Sequence, residues 1–380
     1  MEIKEIKNKS RHIQPETERM LWAVSAGICE FRGCCNRLYT HHVTKENVNL
    51  AEKAHIYAFS EGGKRFSRLI PRAKINDIGN LMLVCKSCHE LMDSSNTNYS
   101  AEELLAMKEE HEQRIERLVC IKPDLQSEVV IYNANIANRS IKINNFVAME
   151  AITPERYPSR TTPIDMSPNL RLYDDEEDYW PVLSKDLERV FSVTEPSIRD
   201  NHISLFAIAP QPLLFKLGTL LNRNYNVEVR QSQGSIDKWH WTQNQEQIEL
   251  DYKVISGTCE KSSVALTIEL TAQLSEEELT QIFGNCDIHR ITTPICDPNC
   301  IKSSLDLSAV MKAYRNALNA IRLNYDTNVQ VFLLPIAPAS VSIEAGRQMM
   351  KGDPSITVYD RNYLTQEWKK ALLFNGMEEN

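Results

Sequence analysis

Hydrophobic and polar positions follow a helical pattern at two places in the first third of this chain of 380 residues. The stretch 15–26 has a proline at its start and a glycine just after its end, as helices often do. The stretch 99–119 has apolar residues at helical spacing, and Ser100 with Glu103 forms a capping box at its start. His111 lies on the apolar face of this second helix, so we expect it to pack in the core rather than to bind a ligand.

The middle of the chain has weaker patterns. Val129–Ile136 and Ser140–Phe146 have the composition of β-strands. Four prolines and the acidic run Asp174–Asp178 follow, which predicts an irregular segment that leads into the next regular region. We therefore place a domain boundary near residue 122. The predicted domains are 1–122 and 123–380, with 123–200 as the lead-in to the second.

From residue 203 onward, short apolar stretches alternate with amphipathic ones. Strands and helices that alternate in this way predict an α/β architecture with a largely parallel sheet. The predicted strands are Ile203–Ile208, Val227–Gln231, Ile248–Ile255, Val264–Leu270, Val329–Leu334 and Ile356–Tyr359, and the predicted helices are Pro212–Asn222, Ser275–Phe283, Ser304–Leu323 and Ser340–Met350.

A short motif occurs twice in this second region. Ile-Ala-Pro at 208–210 is followed by Gly218, and Ile-Ala-Pro at 336–338 is followed by Gly346. Each triplet ends an apolar strand and precedes a helix, and both the triplet and the glycine recur 128 positions later. This pattern favours a duplicated α/β half. Ligands bind beyond the carboxyl ends of strands in open α/β sheets, so two related strand ends would suit a ligand that is nearly two-fold symmetric.

Composition excludes some classes of protein. The chain is 42% hydrophobic and 25% charged, which is ordinary for a soluble globular protein. It has no apolar run of about 18 residues that would span a bilayer, and its charged N-terminus lacks the apolar core of a signal peptide. We therefore predict a cytoplasmic protein with no membrane partner. In that compartment the ten cysteines favour reduced thiols and a metal site over a disulfide framework.

Two pairs of cysteines indicate a metal site. Cys85 and Cys88 are separated by two residues, so one tight turn aims both thiolates at a single ion. Cys29 lies upstream together with Cys34 or Cys35. Four thiolates leave no position open for water, so we predict a zinc ion that is structural and takes no part in chemistry.

The region 20–119 resembles the HNH endonuclease family, and its motifs occur in the order that the family uses. The resemblance implies a small ββα unit that holds one catalytic divalent metal. It also selects Cys34 over Cys35, because the family spacing is Cys-x4-Cys. The motifs are Cys29-x4-Cys34, Ala54-His55-Ile56, Gly62-Gly63, Asn80-Leu81, and Cys85-x2-Cys88-His89 followed by Leu91-Met92-Asp93.

The resemblance also implies catalytic roles. His55 would act as general base on the attacking water, His89 as a ligand of the catalytic metal, and Asn80 as the residue that holds the loop orienting His55. Many relatives carry Asp or His just before the base as a second metal ligand, whereas this chain has Ala54 there. Magnesium prefers oxygen ligands, so a histidine ligand leaves Mn²⁺ or Ni²⁺ as alternatives to Mg²⁺.

Charge is unevenly distributed along the chain. The net charge of −8 is concentrated beyond residue 120, whereas the part before it is almost neutral. Within the neutral part, five cations occur between Gly62 and Asn76 without an intervening acid. A solvated surface loop would have the same composition, but beside a nuclease motif we interpret these cations as contacts for DNA phosphates. They are Lys64, Arg65, Arg68, Arg72 and Lys74.

Residues 125–370 resemble the SAVED domain, in which two fused CARF-like halves sense cyclic oligonucleotides. Taken with the first resemblance, the whole chain is similar to the HNH–SAVED effector nucleases of the cyclic-oligonucleotide anti-phage systems (CBASS). The motifs of the second resemblance are Phe206 to Pro210 with Leu217-Gly218, Trp239-x-Trp241, Leu334-Pro335-x-Ala337-Pro338, Gly346-Arg347 and Val358 to Arg361.

A pocket for such a ligand needs aromatic rings for the bases, and cations or helix N-termini for the phosphates. Trp239 and Trp241 would point the same way in a strand, either to stack on a base or to pack in the core. Arg230, Lys216 and Arg347 are candidate phosphate contacts. The predicted ligand-binding residues are Pro210, Gln211, Lys216, Arg230, Trp239, Trp241, Pro338, Ser340 and Arg347.

Taken together, these patterns and resemblances predict an α+β nuclease domain with a structural zinc, joined to an α/β domain of two CARF-like, Rossmann-like halves. We interpret it as a DNA endonuclease that a cyclic dinucleotide or trinucleotide activates. Paired HNH domains in a dimer or tetramer would then cut both strands of duplex DNA in anti-phage defence.

Two other functions fit part of the pattern. One is a restriction endonuclease whose second domain reads modified DNA, which the acidic charge of that domain disfavours. The other is a zinc-dependent DNA-binding regulator without catalysis, which would not need both His55 and His89.

Overall fold

The polypeptide divides after residue 122 into two units, Met1–Lys122 and Pro123–Asn380, in the computed structural model of the chain. None of the described helices is long and apolar enough to cross a membrane. The structure describes residues 12–136, 139–168, 178–235, 237–241, 247–258, 262–362 and 364–376.

The first unit is built on a two-stranded antiparallel sheet. Strand β1 (Ala51–His55) pairs with β2 (Leu81–Cys85), and the first four residues of β2 are buried. A short helix follows β2 directly, which makes the ββα arrangement expected for this part of the chain. The helices of this unit are α1 (Pro15–Val24), α2 (Lys86–Asp93) and α3 (Ala101–Val119).

Local sequence explains the start and the packing of α3. Ser100 and Glu103 form the predicted capping box, in which the backbone N–H of Glu103 donates to the Ser100 hydroxyl. His111 is buried on the apolar face of this helix, and its Nε2 donates to the carbonyl oxygen of Ser25 at 3.0 Å. The prediction that His111 packs in the core is therefore confirmed, and this burial lowers its pKa.

Within the described residues, the second unit contains two sheets and six α-helices. Its strands are β3 (Gln126–Asn133), β4 (Tyr157–Pro158), β5 (Ile164–Asp165), β6 (His202–Ile208), β7 (Asn226–Arg230), β8 (Asp251–Ile255), β9 (Ser263–Glu269), β10 (Asp287–Thr292), β11 (Gln330–Ile336), β12 (Ser355–Arg361) and β13 (Trp368–Phe374). Its helices are α4 (Asn145–Glu150), α5 (Tyr179–Ile198), α6 (Gln211–Leu220), α7 (Glu276–Phe283), α8 (Ser304–Asn324) and α9 (Ala339–Arg347).

Both sheets are mainly parallel, as predicted. The first has the order β4-β3-β6-β7, and β5 also pairs with β3. All of its pairings are parallel. The second has the order β13-β12-β11-β9-β10-β8, in which the four inner strands are parallel and the two edge strands are antiparallel to their neighbours.

The two halves of this unit follow the same path. The element order β6, α6, β7 recurs as β11, α9, β12, and β6 matches β11 residue for residue at the spacing of 128. The helices α6 and α9 cross closely, and the repeated glycines permit this. A Cβ on Gly218 would lie 2.0 Å from the carbonyl oxygen of Ile343, and a Cβ on Gly346 would lie 2.1 Å from that of Phe215. Phe215 and Ile343 are also 128 positions apart, so the duplication is a reciprocal helix crossing in three dimensions.

The hydrophobic cores of the two sheets meet at this crossing. One core combines α8 with the second sheet, and the other combines α5 with the first. Phe215 and Val341 enter the former, whereas Leu214 and Ile343 enter the latter. The crossing pair of helices is therefore shared between the two halves.

Some elements differ from the sequence prediction. The predicted strand 140–146 is wrong, because the side chain of Asn144 accepts from two backbone N–H groups and starts the helix α4 there. The pattern analysis does not predict α5, β10 or β13. Helix α5 begins directly after Asp178, the one residue of the acidic run that lies within the described residues. Charged residues interrupt the apolar pattern of β10 and β13, so neither stands out as a strand.

Candidate functional site

Four cysteine sulfurs converge where β2 ends and α2 begins. The Sγ atoms of Cys29, Cys34, Cys85 and Cys88 all lie within 4.8 Å of one another. Those of Cys34 and Cys85 are 3.8 Å apart. Zinc–sulfur bonds of about 2.3 Å in a tetrahedron separate the sulfurs by about 3.8 Å, so this donor set fits a zinc ion.

Two of these sulfurs would need a bound cation in order to ionise. Burial raises the pKa of the Cys29 thiol to about 12 and raises that of Cys88 as well. Such buried sulfurs become thiolates only beside a positive charge, because burial penalises the charged form. Cys35 lies outside the cluster, where it is exposed and 3.8 Å from the guanidinium of Arg114.

His55 is the last residue of β1, and its ring faces Asn76. The ring Nε2 lies 2.9 Å from Asn76 Oδ1. The Asn76 amide nitrogen donates to the carbonyl oxygen of His12 at 3.2 Å, so the oxygen of this amide is the atom that faces the imidazole. Nε2 therefore carries the proton of the neutral ring, and Nδ1 carries the lone pair that can accept a proton.

Asn80 closes the loop between β1 and β2. Its side chain is buried, and its oxygen accepts from the backbone N–H of Tyr57 at 2.8 Å. Its amide nitrogen donates to the carbonyl oxygens of Tyr57 and Ile75 at 3.1 and 2.9 Å. These bonds tie both ends of the loop to one side chain, which is the geometry that an orienting role toward His55 requires.

His89 lies on α2 one turn before Asp93. Its Nε2 is 3.7 Å from Asp93 Oδ2. Both side chains line a cleft of about 560 Å³ together with His55. A nitrogen and a carboxylate oxygen at this separation fit two ligands of one divalent cation, whereas Ala54 is buried and offers none. The sequence motif includes Asp93 but predicts no role for it, although a spacing of four residues on a helix places it beside His89.

Arg65 is bound inside this cleft rather than exposed to solvent. Its side chain is 8% exposed. The guanidinium donates to the carbonyl oxygens of Ile56 and Met92 at 2.8 and 2.9 Å, and to the Asp93 carboxylate at 2.8 Å. Arg65 therefore joins the end of β1 to the end of α2 and is not available for the DNA phosphate contact predicted for it.

The other predicted phosphate contacts are exposed. Lys64 donates to two backbone carbonyl oxygens, one of them that of Thr97 at 2.7 Å. Arg72 donates to the carbonyl oxygen of Phe59 at 3.1 Å and lies over its ring. Within the described part of the chain, Arg68 and Lys74 make no such bonds, so these exposed cations are the most open to a phosphate.

In the second unit, glutamines bridge the two halves at the carboxyl ends of the parallel strands. Gln211 opens α6, and its amide nitrogen donates to the carbonyl oxygen of Ala337 at 2.8 Å. Its oxygen accepts from the hydroxyl of Ser342 at 2.5 Å. Gln231 follows β7 and accepts from the backbone N–H of Ser340 at 3.1 Å. Gln211 and Ser340 were predicted here, whereas their partners were not, because they become neighbours only through the helix crossing.

Two buried polar atoms near these strand ends have no hydrogen-bond partner among the described residues. They are Arg230 Nε and Ser340 Oγ. Arg230 is 3% exposed, and its guanidinium donates to Glu228 at 3.1 Å through another nitrogen. An unpaired buried polar group costs about 1–3 kcal/mol, so each of these atoms is a candidate contact for a polar ligand. Pro210 and Pro338 precede the N-termini of α6 and α9 in extended conformations.

The two tryptophans do not lie on a shared strand face as predicted. Residues 237–241 are not a strand, so Trp239 and Trp241 do not share a face. Trp239 is 1% exposed and packs edge-on against Phe206, with ring centroids 5.2 Å apart. Trp241 packs against the other core, and its Nε1 donates to Glu228 at 3.2 Å. Packing in the core is therefore the correct interpretation for Trp239.

Arg347 and Lys216 make structural contacts. Arg347 lies at the C-terminal end of α9, and it donates to the carbonyl oxygens of Leu221 and Tyr225 at 2.8 and 3.1 Å. Lys216 forms an ion pair with Glu188 of α5. The geometry therefore does not support the predicted phosphate contacts at these two positions.

Two families match separate parts of the chain. Residues 29–96 match the family described as HNH endonuclease. Residues 187–374 match the family described as SMODS-associated and fused to various effectors sensor domain, abbreviated SAVED. No curated protein matches the chain.

Solved structures that are similar to part of this chain are Cap4 SAVED/CARF-domain containing receptors. The Acinetobacter baumannii receptor with the cyclic trinucleotide 2'3'3'-cAAA has 12% identity and a TM-score of 0.43, over 74% of this chain and 63% of that one. The same receptor with 3'3'3'-cAAA has 13% identity and a TM-score of 0.43, over 76% and 65%. The Moraxella osloensis receptor has 14% identity and a TM-score of 0.39, over 76% and 63%. This chain thus spans less than two thirds of the length of these receptors.

Proposed function

We propose that this chain, an HNH endonuclease domain joined to a SAVED sensor domain, is a cytoplasmic nuclease that cuts double-stranded DNA when a cyclic oligonucleotide binds its second unit. The observation that carries this proposal is the meeting of His55, His89 and Asp93 in one cleft of the ββα unit. The resemblance to the HNH–SAVED effectors of CBASS supports a role for such a nuclease in anti-phage defence.

The cleft supports hydrolysis of a phosphodiester. His89 and Asp93 would hold a divalent cation, Mg²⁺ or Mn²⁺, which stabilises negative charge on the phosphate when bound. Nδ1 of His55 accepts a proton from the attacking water, so that the water oxygen bonds to phosphorus as the P–O bond to the leaving oxygen breaks. Asn80 holds the loop after His55, and Arg65 holds Asp93, so the base and the metal ligands keep their positions.

The second unit supports a quasi-symmetric ligand. Arg230 Nε and Ser340 Oγ are two buried groups without partners among the described residues, and the positive ends of the α6 and α9 helix dipoles favour bound phosphates. The reciprocal helix crossing favours a cyclic dinucleotide, and a cyclic trinucleotide remains the alternative. The match of 187–374 to a sensor family favours this gate over a domain that reads modified DNA.

Activation requires that the ligand bind the assembled state more tightly than the idle one. One HNH unit makes one nick, so cutting both strands requires two copies, in a dimer or a tetramer. We therefore expect the protein alone to cut slowly, and the activating cyclic nucleotide to raise the assembly mass and the cutting rate together.

The test uses the full-length protein with supercoiled plasmid, Mg²⁺ or Mn²⁺, and a panel of cyclic di- and trinucleotides. His55→Ala and His89→Ala are expected to abolish nicking and to retain ligand binding, whereas the exposed His42→Ala keeps both. If the protein cut DNA equally with and without every nucleotide, at an unchanged mass of the assembly, the restriction endonuclease would be the better interpretation. Full nicking activity of the His55→Ala variant would show that His55 is not the general base.

A further inference from the structure

The sheets of the second unit have four edges, and within the described ranges three of these edges are blocked. The edge beside β3 consists of two-residue strands, one of which contains Pro158, which has no N–H to donate. The edge at β7 is covered by Arg347, which donates to the carbonyl oxygen of Val227 at 3.4 Å. The edge at β13 carries Lys369 and Lys370, and its pairing with β12 contains a register shift.

Strand β8 is the least protected of the four edges, although it carries one lysine, Lys253. Its five residues pair with β10 without a register shift and include neither proline nor glycine. Among the described residues, no strand pairs with its outer side. Tyr252 and Val254 are 47% and 43% exposed. A straight and exposed edge strand of this kind is a template for the addition of another strand.

The sequence of this strand is complementary to itself. In an antiparallel pair centred on Tyr252, Asp251 of each copy lies opposite Lys253 of the other, so both cross-strand pairs carry opposite charges. On the other face, Leu250 lies opposite Val254, and Tyr252 lies opposite itself. A shift by two residues would place Asp251 opposite Asp251, or Lys253 opposite Lys253, so the charges select one register.

We propose that two copies of this chain associate through β8, in antiparallel register about Tyr252, and join their six-stranded sheets into one continuous sheet. The partner is a second copy because the charge pattern reverses about Tyr252, as a two-fold interface requires. Lys253 also pairs with Glu276 at 2.7 Å, but both side chains are exposed, and such a pair contributes little. This dimer forms without nucleotide, so the rise in mass that the nucleotide causes would be from dimer to tetramer. The pairing does not depend on DNA cutting.

Charge exchange tests the register in the full-length protein. Sedimentation without added nucleotide is expected to show that Lys253→Asp and Asp251→Lys each halve the mass of the assembly, because each places like charges at both paired positions. An equimolar mixture of the two variants should recover the wild-type mass, since every cross-strand pair is then Asp opposite Lys. Glu276→Gln is the control for the lost local pair and should keep the wild-type mass.

Three sedimentation results would overturn the proposal: a monomeric wild-type protein, an unchanged mass in both single variants, or a mixture that fails to recover the wild-type mass. Plasmid nicking plays no part in these measurements, so a failure of the proposed nuclease function would be seen separately.

Cross-linking tests the same register without charge. Directly paired residues have Cα atoms about 4.5–5.5 Å apart, within the range of a disulfide, so Tyr252→Cys is expected to give a covalent dimer on oxidation. Val254→Cys is the matched control, since its two copies lie about 13 Å apart along the strand and should not cross-link. The wild-type protein shows how much background cross-linking the native cysteines give. Equal cross-linking of both variants, or none with Tyr252→Cys, would rule out this interface.

Discussion

At the residue scale, the burial of an arginine side chain determines whether it can contact a ligand or makes structural hydrogen bonds instead. The sequence predicts phosphate contacts for Arg65, Arg230 and Arg347, and all three side chains are largely buried. Arg65 and Arg347 direct their donors to backbone carbonyl oxygens, whereas Arg230 keeps an unpaired Nε among the described residues. Of these three, Arg230 is the one that retains a donor for a ligand.

The structural role of Arg65 separates it from its neighbour Arg68. Arg65→Gln is expected to destabilise the first unit by about 2–4 kcal/mol and to lower kcat, because two carbonyl oxygens and Asp93 lose their donor. Arg68→Gln should change stability by less than about 0.5 kcal/mol and reduce the slope of log Kd against log salt by about one. Urea denaturation and DNA binding at several salt concentrations measure the two effects. A reduced salt slope with unchanged stability for Arg65→Gln would assign it to DNA contact instead.

We predict that the second unit is less stable in acid because of His202. Burial, together with the charges of Arg156 and Arg230, lowers the pKa of His202 to about 4 from 6.5. Between these values the unfolded chain binds a proton that the folded chain does not, so stability should fall as the pH falls from about 6.5 to about 4. After allowance for its partial exposure, the loss is about 1–2 kcal/mol.

Urea denaturation at pH 7 and pH 4.5 measures this loss. The His202→Gln variant should lose less stability between the two values than the wild-type protein does, whereas the exposed His240→Gln variant should behave like the wild type. Equal losses in wild type and His202→Gln would mean that another group is responsible.

At the scale of the element, the helix crossing depends on two glycines that lack a Cβ. Gly218→Ala is expected to destabilise the second unit by more than about 3 kcal/mol, because the new Cβ would lie 2.0 Å from a backbone oxygen that cannot move independently. Gly346→Ala should act in the same way through the carbonyl oxygen of Phe215. Gly79→Ala is the control, since a Cβ there meets nothing within 4 Å. Thermal unfolding measures all three, and a Gly218→Ala protein as stable as the wild type would contradict the observed crossing distance.

At the scale of the whole molecule, the first unit has one small core whose buried residues include the metal-site Cys29 and Cys88. A structural zinc contributes on the order of 10 kcal/mol or more, which is comparable to the whole stability of a domain. We therefore expect one tightly held zinc per chain. Chelation, or Cys85→Ser, should unfold α1 to α3 and leave the sheets of the second unit protected from hydrogen exchange.

Elemental analysis and hydrogen-exchange mass spectrometry measure these outcomes. Cys35→Ser is the matched control, since this thiol lies outside the cluster, and it should keep both the zinc and the protection. A purified protein without zinc, or unchanged exchange after chelation, would contradict the structural role.

The sequence by itself determined the features that depend on short spacing or on exact recurrence. The cysteine frame, the capping box at Ser100 and the two Ile-Ala-Pro strand ends are of this kind, because each rests on residues close in the chain or repeated at one interval. Moving the bounds of α8 back by the same interval of 128 residues gives 176–196, close to the position of α5. The sequence repeat could therefore have predicted α5. Patterning alone missed it because the preceding acids and prolines suggested an irregular segment.

Only the tertiary structure decided which side chains are available for chemistry. Arg65 meets Asp93 across 28 positions, and Arg347 meets Leu221 across 126, so no local pattern could show that these arginines are occupied. The placement of Trp239 in a core, and of β8 at the least protected edge, likewise depends on strands brought together by folding. Burial and strand pairing are properties of distant contacts, and these contacts determine the function of residues that the sequence identifies only by type.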